Sequence, residues 1–159
     1  MADKIEPIPT GYHSITPYLI VDDAKGAMEF YQRAFGAAVV LQLDRPDGKV
    51  AHAEVKLGDS MIMLADEASE MGYHSAKAIG GSPVKILLYI ENVDAVFNRA
   101  VEAGAEVVSP VKDQFYGDRS GALKDPFGHS WTIATHIEDV SQDEVDRRYQ
   151  AMMQGQGAC

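Results

Sequence analysis

Two side chains capable of acid–base chemistry stand two positions apart near the middle of the chain. His52 and Glu54 lie in the predicted strand Val50–Leu57. Because alternate residues of a strand share a face, we expect the imidazole and the carboxylate to face the same way. The histidine could then act as a base or a metal donor, with the glutamate as its orienting partner. The other interpretation is a solvated face on which the pair is ordinary surface.

Further candidates stand on either side of the last predicted hairpin. In the segment YGDRSG, strand alternation places Tyr116 and Asp118 on one face and Arg119 on the other. Arg119 could bind an anionic ligand through two N–H groups, or it could form a salt bridge with Asp118 or Asp125. Trp131, the single tryptophan, could stack on a ligand or belong to the core.

The elements that must position these residues occur twice. Pro17–Val21 and Ile86–Ile90 are short apolar runs that predict strands. Each is followed by a helical pattern, and the two patterns lie 69 positions apart: Ala24, Ala27 and Met28 in the first, Val93, Val96 and Phe97 in the second. Both helices are predicted to end at a glycine, Gly36 and Gly104. An internal duplication of a strand-helix-strand-strand-strand unit follows.

The duplication predicts one domain over residues 1–159. Its first module covers 12–66 and its second 84–136. Residues 67–83, rich in Gly, Ser and Ala, are predicted to form a linker loop. Residues 137–159 are predicted to form a C-terminal helix and tail, with Ser141 as the N-cap and Glu144 at the capping-box spacing.

The composition restricts the partners. A formal net charge of −10 repels phosphate backbones and anionic lipids, so no nucleic acid and no membrane partner is expected. The single cysteine, Cys159, excludes a disulfide framework within the chain. No apolar run is long enough to span a bilayer, and the first ten residues do not resemble a signal peptide. We therefore expect a cytoplasmic protein.

Three segments together resemble a known family. TPYLIVDDAKGAMEFYQRAFGA, HAEVKLGDSMIMLADE and YGDRSGALKDPFGHSWTIATH are similar to the PhnB-like branch of the vicinal oxygen chelate superfamily, the glyoxalase, bleomycin-resistance and dioxygenase group. The resemblance covers Ile15 to His136. It implies an α+β fold of paired βαβββ modules that form a curved mixed sheet around a cleft, and a homodimer.

The resemblance also implies where a metal would be held. Metal-dependent members use four cleft positions, two per module, to bind one divalent ion. Those positions correspond here to Thr16, Lys85, Ile62 and Thr132, with Met63 as the alternative to Ile62 if the register slips by one. None offers the imidazole or carboxylate that such sites use. A divalent cofactor is therefore not supported at the usual positions, and the cofactor stays unknown.

Two main functions follow from the resemblance. The first is a metal-free protein, similar to the bleomycin-resistance proteins, that binds a small-molecule ligand in its cleft. The second is a metal-dependent lyase, isomerase or dioxygenase with relocated ligands around His52 and Glu54, joined by His13 or Asp66. A purely regulatory or structural dimer is a third possibility. The residues identify no substrate, and they leave open whether the chain is an enzyme.

Overall fold

The computed structural model describes residues 5–156, which form two similar units joined by a short connection. The first unit contains β1 Tyr18–Val21, α1 Ala24–Phe35, β2 Ala38–Asp44, β3 Val50–Leu57 and β4 Ser60–Asp66. The connection contains a 3₁₀ turn Ser69–Met71 and α2 Ala76–Ile79. The second unit contains β5 Lys85–Tyr89, α3 Val93–Glu102, β6 Glu106–Asp113, β7 Asp118–Lys124 and β8 Ser130–His136, and α4 Gln142–Gln156 follows it.

Each unit forms its own four-stranded mixed sheet. The strand orders are β1-β4-β3-β2 and β5-β8-β7-β6. The first strand of each unit pairs in parallel with the last, and the remaining pairs are antiparallel. The predicted α+β fold of paired βαβββ modules is confirmed. The predicted linker loop differs, because residues 67–83 contain two short helical segments.

The first and last strands of the two units, and the starts of their helices, correspond at a spacing of 69 residues. Tyr18 pairs with Met63 in the first sheet, and Leu87 pairs with Thr132 in the second. The helix starts obey the same rule: the Ala24 amide donates to Asp66 at 2.9 Å, and the Val93 amide donates to Thr135 at 3.0 Å. The two units thus repeat equivalent hydrogen bonds as well as the same sequence pattern.

Local hydrogen bonds explain where the two helices begin, and a glycine explains where α1 ends. The Asp23 carboxylate accepts from the Gly26 amide at the start of α1, and the Asn92 side chain accepts from the Ala95 amide at the start of α3. Gly36 ends α1 with φ of 71°, which a side chain would disfavour. The apolar stripe of each helix packs on its own sheet, and the helices also contact each other.

A buried carboxylate joins the two units. Asp125 is 4% exposed and accepts four hydrogen bonds. Two come from its own turn, from the backbone amides of Phe127 and His129. The Trp131 indole donates at 2.9 Å, and the Tyr31 hydroxyl of α1 donates at 2.7 Å. Most of the KDPFGHSW motif therefore serves packing between the units.

The tail forms a helix at the predicted place. The Glu144 amide donates to the Ser141 hydroxyl at 3.4 Å, as the capping pattern predicts. Arg148 fastens α4 to the body through Glu138 and the Phe115 carbonyl. No helix within residues 5–156 is long and apolar enough to cross a membrane.

Candidate functional site

Each sheet turns one face towards the helices and the other away from them. On β3, Ala53, Val55 and Leu57 are buried in the core, so alternation turns His52 and Glu54 to the opposite side. The register adds side chains from β1 and β4 to that side. The open face of the first sheet includes Tyr18, Ile20, His52, Glu54, Met61 and Met63.

A hydrogen-bonded chain runs across this open face. His52 Nε2 lies 3.1 Å from Glu54 Oε1, and His52 Nδ1 lies 2.8 Å from the Tyr18 hydroxyl. Because a carboxylate only accepts, Nε2 carries a proton and donates to Glu54, and in the neutral imidazole Nδ1 then accepts from the Tyr18 hydroxyl. The Tyr12 hydroxyl donates to the other oxygen of Glu54. The structure thus places His52 and Glu54 together and adds two tyrosines.

The contact between Tyr12 and Glu54 shifts the pKa values of both groups. The hydrogen bond from Tyr12, followed by that from His52, lowers the pKa of Glu54 below its ordinary value. The same contact with Glu54 raises the pKa of Tyr12 to about 12. Near neutral pH this face therefore presents a charged acceptor, Glu54, beside a Tyr12 hydroxyl that keeps its proton.

A groove of about 530 Å³ opens beside the chain, and we call it the first-sheet groove. A turn at the N-terminal end, in which the Tyr12 amide donates to the Pro9 carbonyl at 3.0 Å, brings this segment over the sheet. Both polar and apolar groups line the groove. Its walls are Pro7, Ile8, Pro9, Tyr12, His13, Ser14, Thr16, Glu54 and Met63.

The second sheet carries a different polar cluster on its open face. Asp118 is 4% exposed, and it accepts from the Tyr89 hydroxyl at 2.7 Å and from His136 Nδ1 at 2.8 Å. His136 Nε2 lies 2.9 Å from an oxygen of Asp139. Asp118, followed by Asp139, raises the pKa of His136. Sequence reasoning missed this cluster, although the hairpin register places Asp118 directly opposite His136.

The other predicted ligand-binding residues do not join either cluster through a hydrogen bond. Arg119 faces the helix side and binds both oxygens of Asp94 at 2.8 Å and Asp113 at 2.9 Å. The salt-bridge interpretation thus describes Arg119, but its partners are not Asp118 or Asp125. Tyr116 lies in the turn before β7, half-exposed, with its ring against Phe115.

Trp131 belongs to the core. It is 1% exposed, and its ring packs against Tyr31 and Phe35 of α1. Its indole N–H is used by Asp125. The ring is therefore packed against α1 and is not exposed on the open face of either sheet.

The comparison with protein families agrees with this geometry. The model of the Glyoxalase/Bleomycin resistance protein/Dioxygenase superfamily matches residues 11–133. The chain belongs to this superfamily. An uncharacterized protein of Mycobacterium bovis is 41% identical to it over 160 residues, with 99% of each chain covered.

Solved structures of other proteins share the fold of this chain. The X-ray structure of an Arabidopsis thaliana gene product is 31% identical, with a TM-score of 0.63 over 77% of this chain and 98% of that one. A PhnB protein of Bacillus cereus is 22% identical, with a TM-score of 0.62 over 77% of this chain and 99% of that one, and shows the fold alone. The predicted family is thus confirmed.

The residues at the superfamily's usual metal positions do not fit a divalent ion. The register corrects one position: Ile62 is buried in the core, and Met63 is the residue that corresponds to Thr132. The four positions therefore hold Thr16, Met63, Lys85 and Thr132. A thioether and an ammonium are not ligands for the divalent ions of such sites, and two hydroxyls do not replace imidazole and carboxylate.

The relocated ligand set is not assembled either. Asp66 directs its two oxygens to the backbone amides of Ala24 and Val50. His13 contacts the Asp59 carbonyl at 3.1 Å. Within residues 5–156, no three His, Cys, Asp or Glu side chains are grouped as a metal ion requires. His52 and Glu54 thus form a hydrogen-bonded pair without a third donor.

Proposed function

We propose that the chain binds a small molecule in the first-sheet groove, without a divalent ion at the superfamily's usual positions. One observation carries this proposal: the chain of Tyr18, His52, Glu54 and Tyr12 lies on a sheet face with a groove beside it. A polar network of this kind on an otherwise apolar face gives orientation and specificity to a ligand.

The groove favours a ligand with an apolar body and a hydrogen-bond donor. Glu54 is the charged group of the wall, and its lowered pKa keeps it a carboxylate that only accepts. Pro7, Ile8 and Met63 supply apolar surface. A hydroxyl or ammonium group of the ligand would take the place of the Tyr12 hydroxyl at Glu54. The excess of acidic residues in the chain suits a cationic ligand.

A homodimer is part of the proposal. The outer edge strands of the two sheets, β2 and β6, expose adjacent apolar side chains. They are Val39, Val40, Leu41 and Leu43 in β2, and Val107 and Val108 in β6. Exposed apolar edges of this kind are covered in most proteins. Sedimentation equilibrium should give twice the monomer mass, and a monomer at micromolar concentration would contradict this part.

Metal content separates the proposal from its alternative, a metal-dependent lyase, isomerase or dioxygenase with ligands around His52 and Glu54. Elemental analysis of tag-free protein should find no stoichiometric Zn, Ni, Mn or Fe, in the wild type and in His52→Ala alike. His74→Ala, which removes an exposed imidazole of the connection, is the matched control. One metal per chain that only His52→Ala removes would overturn the proposal.

Ligand screening tests the groove itself. Thermal-shift screening should identify amines or alcohols with apolar bodies that raise the melting temperature of the wild type and of His74→Ala. The same compounds should give no shift with Glu54→Gln, because the charged acceptor is gone. Compounds that stabilise Glu54→Gln as strongly as the wild type would place binding elsewhere on the chain.

A further inference from the structure

The two units meet at two equivalent seams. In one, which we call the second-hairpin seam, the turn between β7 and β8 lies against β1, and His129 Nε2 contacts the Ile20 carbonyl at 3.0 Å. In the other, the first-hairpin seam, the turn between β3 and β4 faces β5 across a cavity that both line. The spacing of 69 residues makes Ser60 the counterpart of His129 and Tyr89 the counterpart of Ile20.

Each seam encloses a cavity, and the two cavities differ about twofold in size. The second-hairpin seam holds about 270 Å³ and the first-hairpin seam about 570 Å³. Their walls correspond: Tyr18 and Leu19 line the smaller cavity, and Leu87 and Leu88 line the larger one. The two units thus carry cavities with corresponding walls and different volumes.

The side chain at the end of each hairpin turn contributes to the size difference. His129 is only 9% exposed, and its backbone is fixed by the hydrogen bond to Asp125, so the imidazole occupies the second-hairpin seam. In the first-hairpin seam the corresponding side chain is the small Ser60, whose hydroxyl donates to Asp59 at 2.8 Å. The first hairpin therefore contributes no ring to its cavity, whose aromatic wall residues, Tyr89 and Trp131, come from the second sheet.

The acceptor that His129 meets also has a counterpart. The amides of Met63 and Glu67 donate to the carbonyls of Pro17 and Val21, so the Ile20 carbonyl points to the outer edge of β1. In β5 the Ile90 amide donates to Ala134, and the same alternation points the Tyr89 carbonyl towards the larger cavity. Tyr89 is among the residues that line it.

We propose that the first-hairpin seam is a second binding site, for a small planar molecule that is mostly apolar and carries one N–H or O–H donor. The ring would take the place that the His129 imidazole takes in the other seam, with its donor on the Tyr89 carbonyl. The remaining walls suit an apolar ring: they include Ile15, Leu57, Met61 and an edge of Trp131. The site is separate from the first-sheet groove, and the proposed function does not depend on it.

Imidazole and phenol are the probes, because each is planar and carries one donor. Titrated into ¹⁵N-labelled protein, they should shift the amide signals of Leu87 to Tyr89 saturably, with a dissociation constant on the order of 1 mM for so few atoms. Ser60→His should weaken binding about tenfold or more by supplying the missing ring. Ser69→His places the same side chain on an exposed turn away from the seam and should bind like the wild type.

A second variant that fills the cavity distinguishes loss of binding from misfolding of the hairpin. Leu87→Trp fills the same cavity from the β5 side and should also abolish binding, while the amide spectrum shows whether each variant is folded. The proposal is overturned if neither probe gives a saturable shift in the wild type, or if folded Ser60→His and Leu87→Trp both still bind. Dissociation of a dimer by Ser60→His would also overturn it, since a second copy would then fill the seam.

Discussion

The open faces of the two sheets carry histidines in opposite situations. On the first sheet, His52 lies between a carboxylate and a hydroxyl, which a ring with one N–H satisfies. On the second, His136 lies between two carboxylates, Asp118 and Asp139, so both ring nitrogens must donate. The first face thus carries a polar network whose hydroxyls can change partners. The second face carries a clamp, by which we mean His136 held between Asp118 and Asp139.

We expect the two faces to have different roles, because their histidines have different hydrogen-bond partners. The hydroxyls of Tyr12 and Tyr18 can rotate and exchange partners, so the first face can offer its acceptor to a ligand. The carboxylates around His136 compete for both its protons, which leaves the ring no free nitrogen. His136 also connects the end of β8 to Asp139, on the segment that leads to α4. We therefore expect the second cluster to hold the C-terminal segment.

The largest expected effect comes from breaking the contact that joins the two units. Asp125→Ala would leave the Tyr31 hydroxyl, the Trp131 indole and two backbone amides without their buried acceptor. The free energy of unfolding should fall by about 3–5 kcal/mol. Urea denaturation followed by circular dichroism would measure it.

Tyr31→Phe is the graded control for that variant. It removes one of the four donors and leaves the packing of the ring in place, so the loss should be about 1 kcal/mol. A loss for Asp125→Ala no larger than for Tyr31→Phe would show that the turn and Trp131 do not depend on the carboxylate.

The protonation of His136 comes next. Because its pKa is raised, protonated His136 stabilises the folded chain. That contribution is complete below the ordinary pKa of 6.5 and is lost as the pH rises through the raised value. Two-dimensional ¹H–¹⁵N spectra of the imidazole should show a midpoint above 6.5 in the wild type.

Asp118→Asn sharpens this prediction, because it removes the larger of the two causes. The midpoint of His136 should then move back towards 6.5, while Asp47→Asn, which changes an exposed loop carboxylate, should leave it unchanged. An unshifted midpoint in Asp118→Asn would contradict the clamp and with it the contrast between the two faces.

The sequence predicts the pairing of His52 with Glu54 because strand alternation is a local rule. It also predicts the duplication, since the helix patterns repeat at a constant spacing. The partners of these groups are not local: Tyr18 and Tyr12 are 34 and 42 residues away from the side chains they bind. No periodicity connects them. The pairing of β1 with β4 and of β4 with β3 brings Tyr18 near His52, and the N-terminal turn brings Tyr12 to Glu54.

Two features could have been predicted from strand register in the sequence: the pairing of Asp118 with His136, and the face on which Met63 lies. Pairing Lys124 with Ser130 across the last hairpin and counting six residues back on β7 and forward on β8 brings Asp118 opposite His136. The same attention to register separates Met63 from Ile62, since one residue decides the face of a strand. The burial of His129, in contrast, depends on contact between the units and could not be read from its own segment.

The smallest expected effect concerns the first face. Tyr12→Phe removes the hydrogen bond that chiefly lowers the pKa of Glu54, so that pKa should rise towards 4.5. The depressed pKa contributes stability above pH 4.5 that is lost as the pH falls through the folded-state value. The variant should therefore be less stable by about 0.5–1 kcal/mol at pH 7 and closer to the wild type in acid.

Carbon-13 titration of the Glu54 carboxyl would measure the shift, with Ser14→Ala as a control that changes the groove wall without touching Glu54. An unchanged midpoint in Tyr12→Phe would mean that His52 alone holds the carboxylate. The first face would then resemble the second, with one histidine fixed by one acid, and the argument that a ligand donor can replace Tyr12 would fail. A raised midpoint with His52 still bonded would leave Glu54 as an acceptor that a ligand can share.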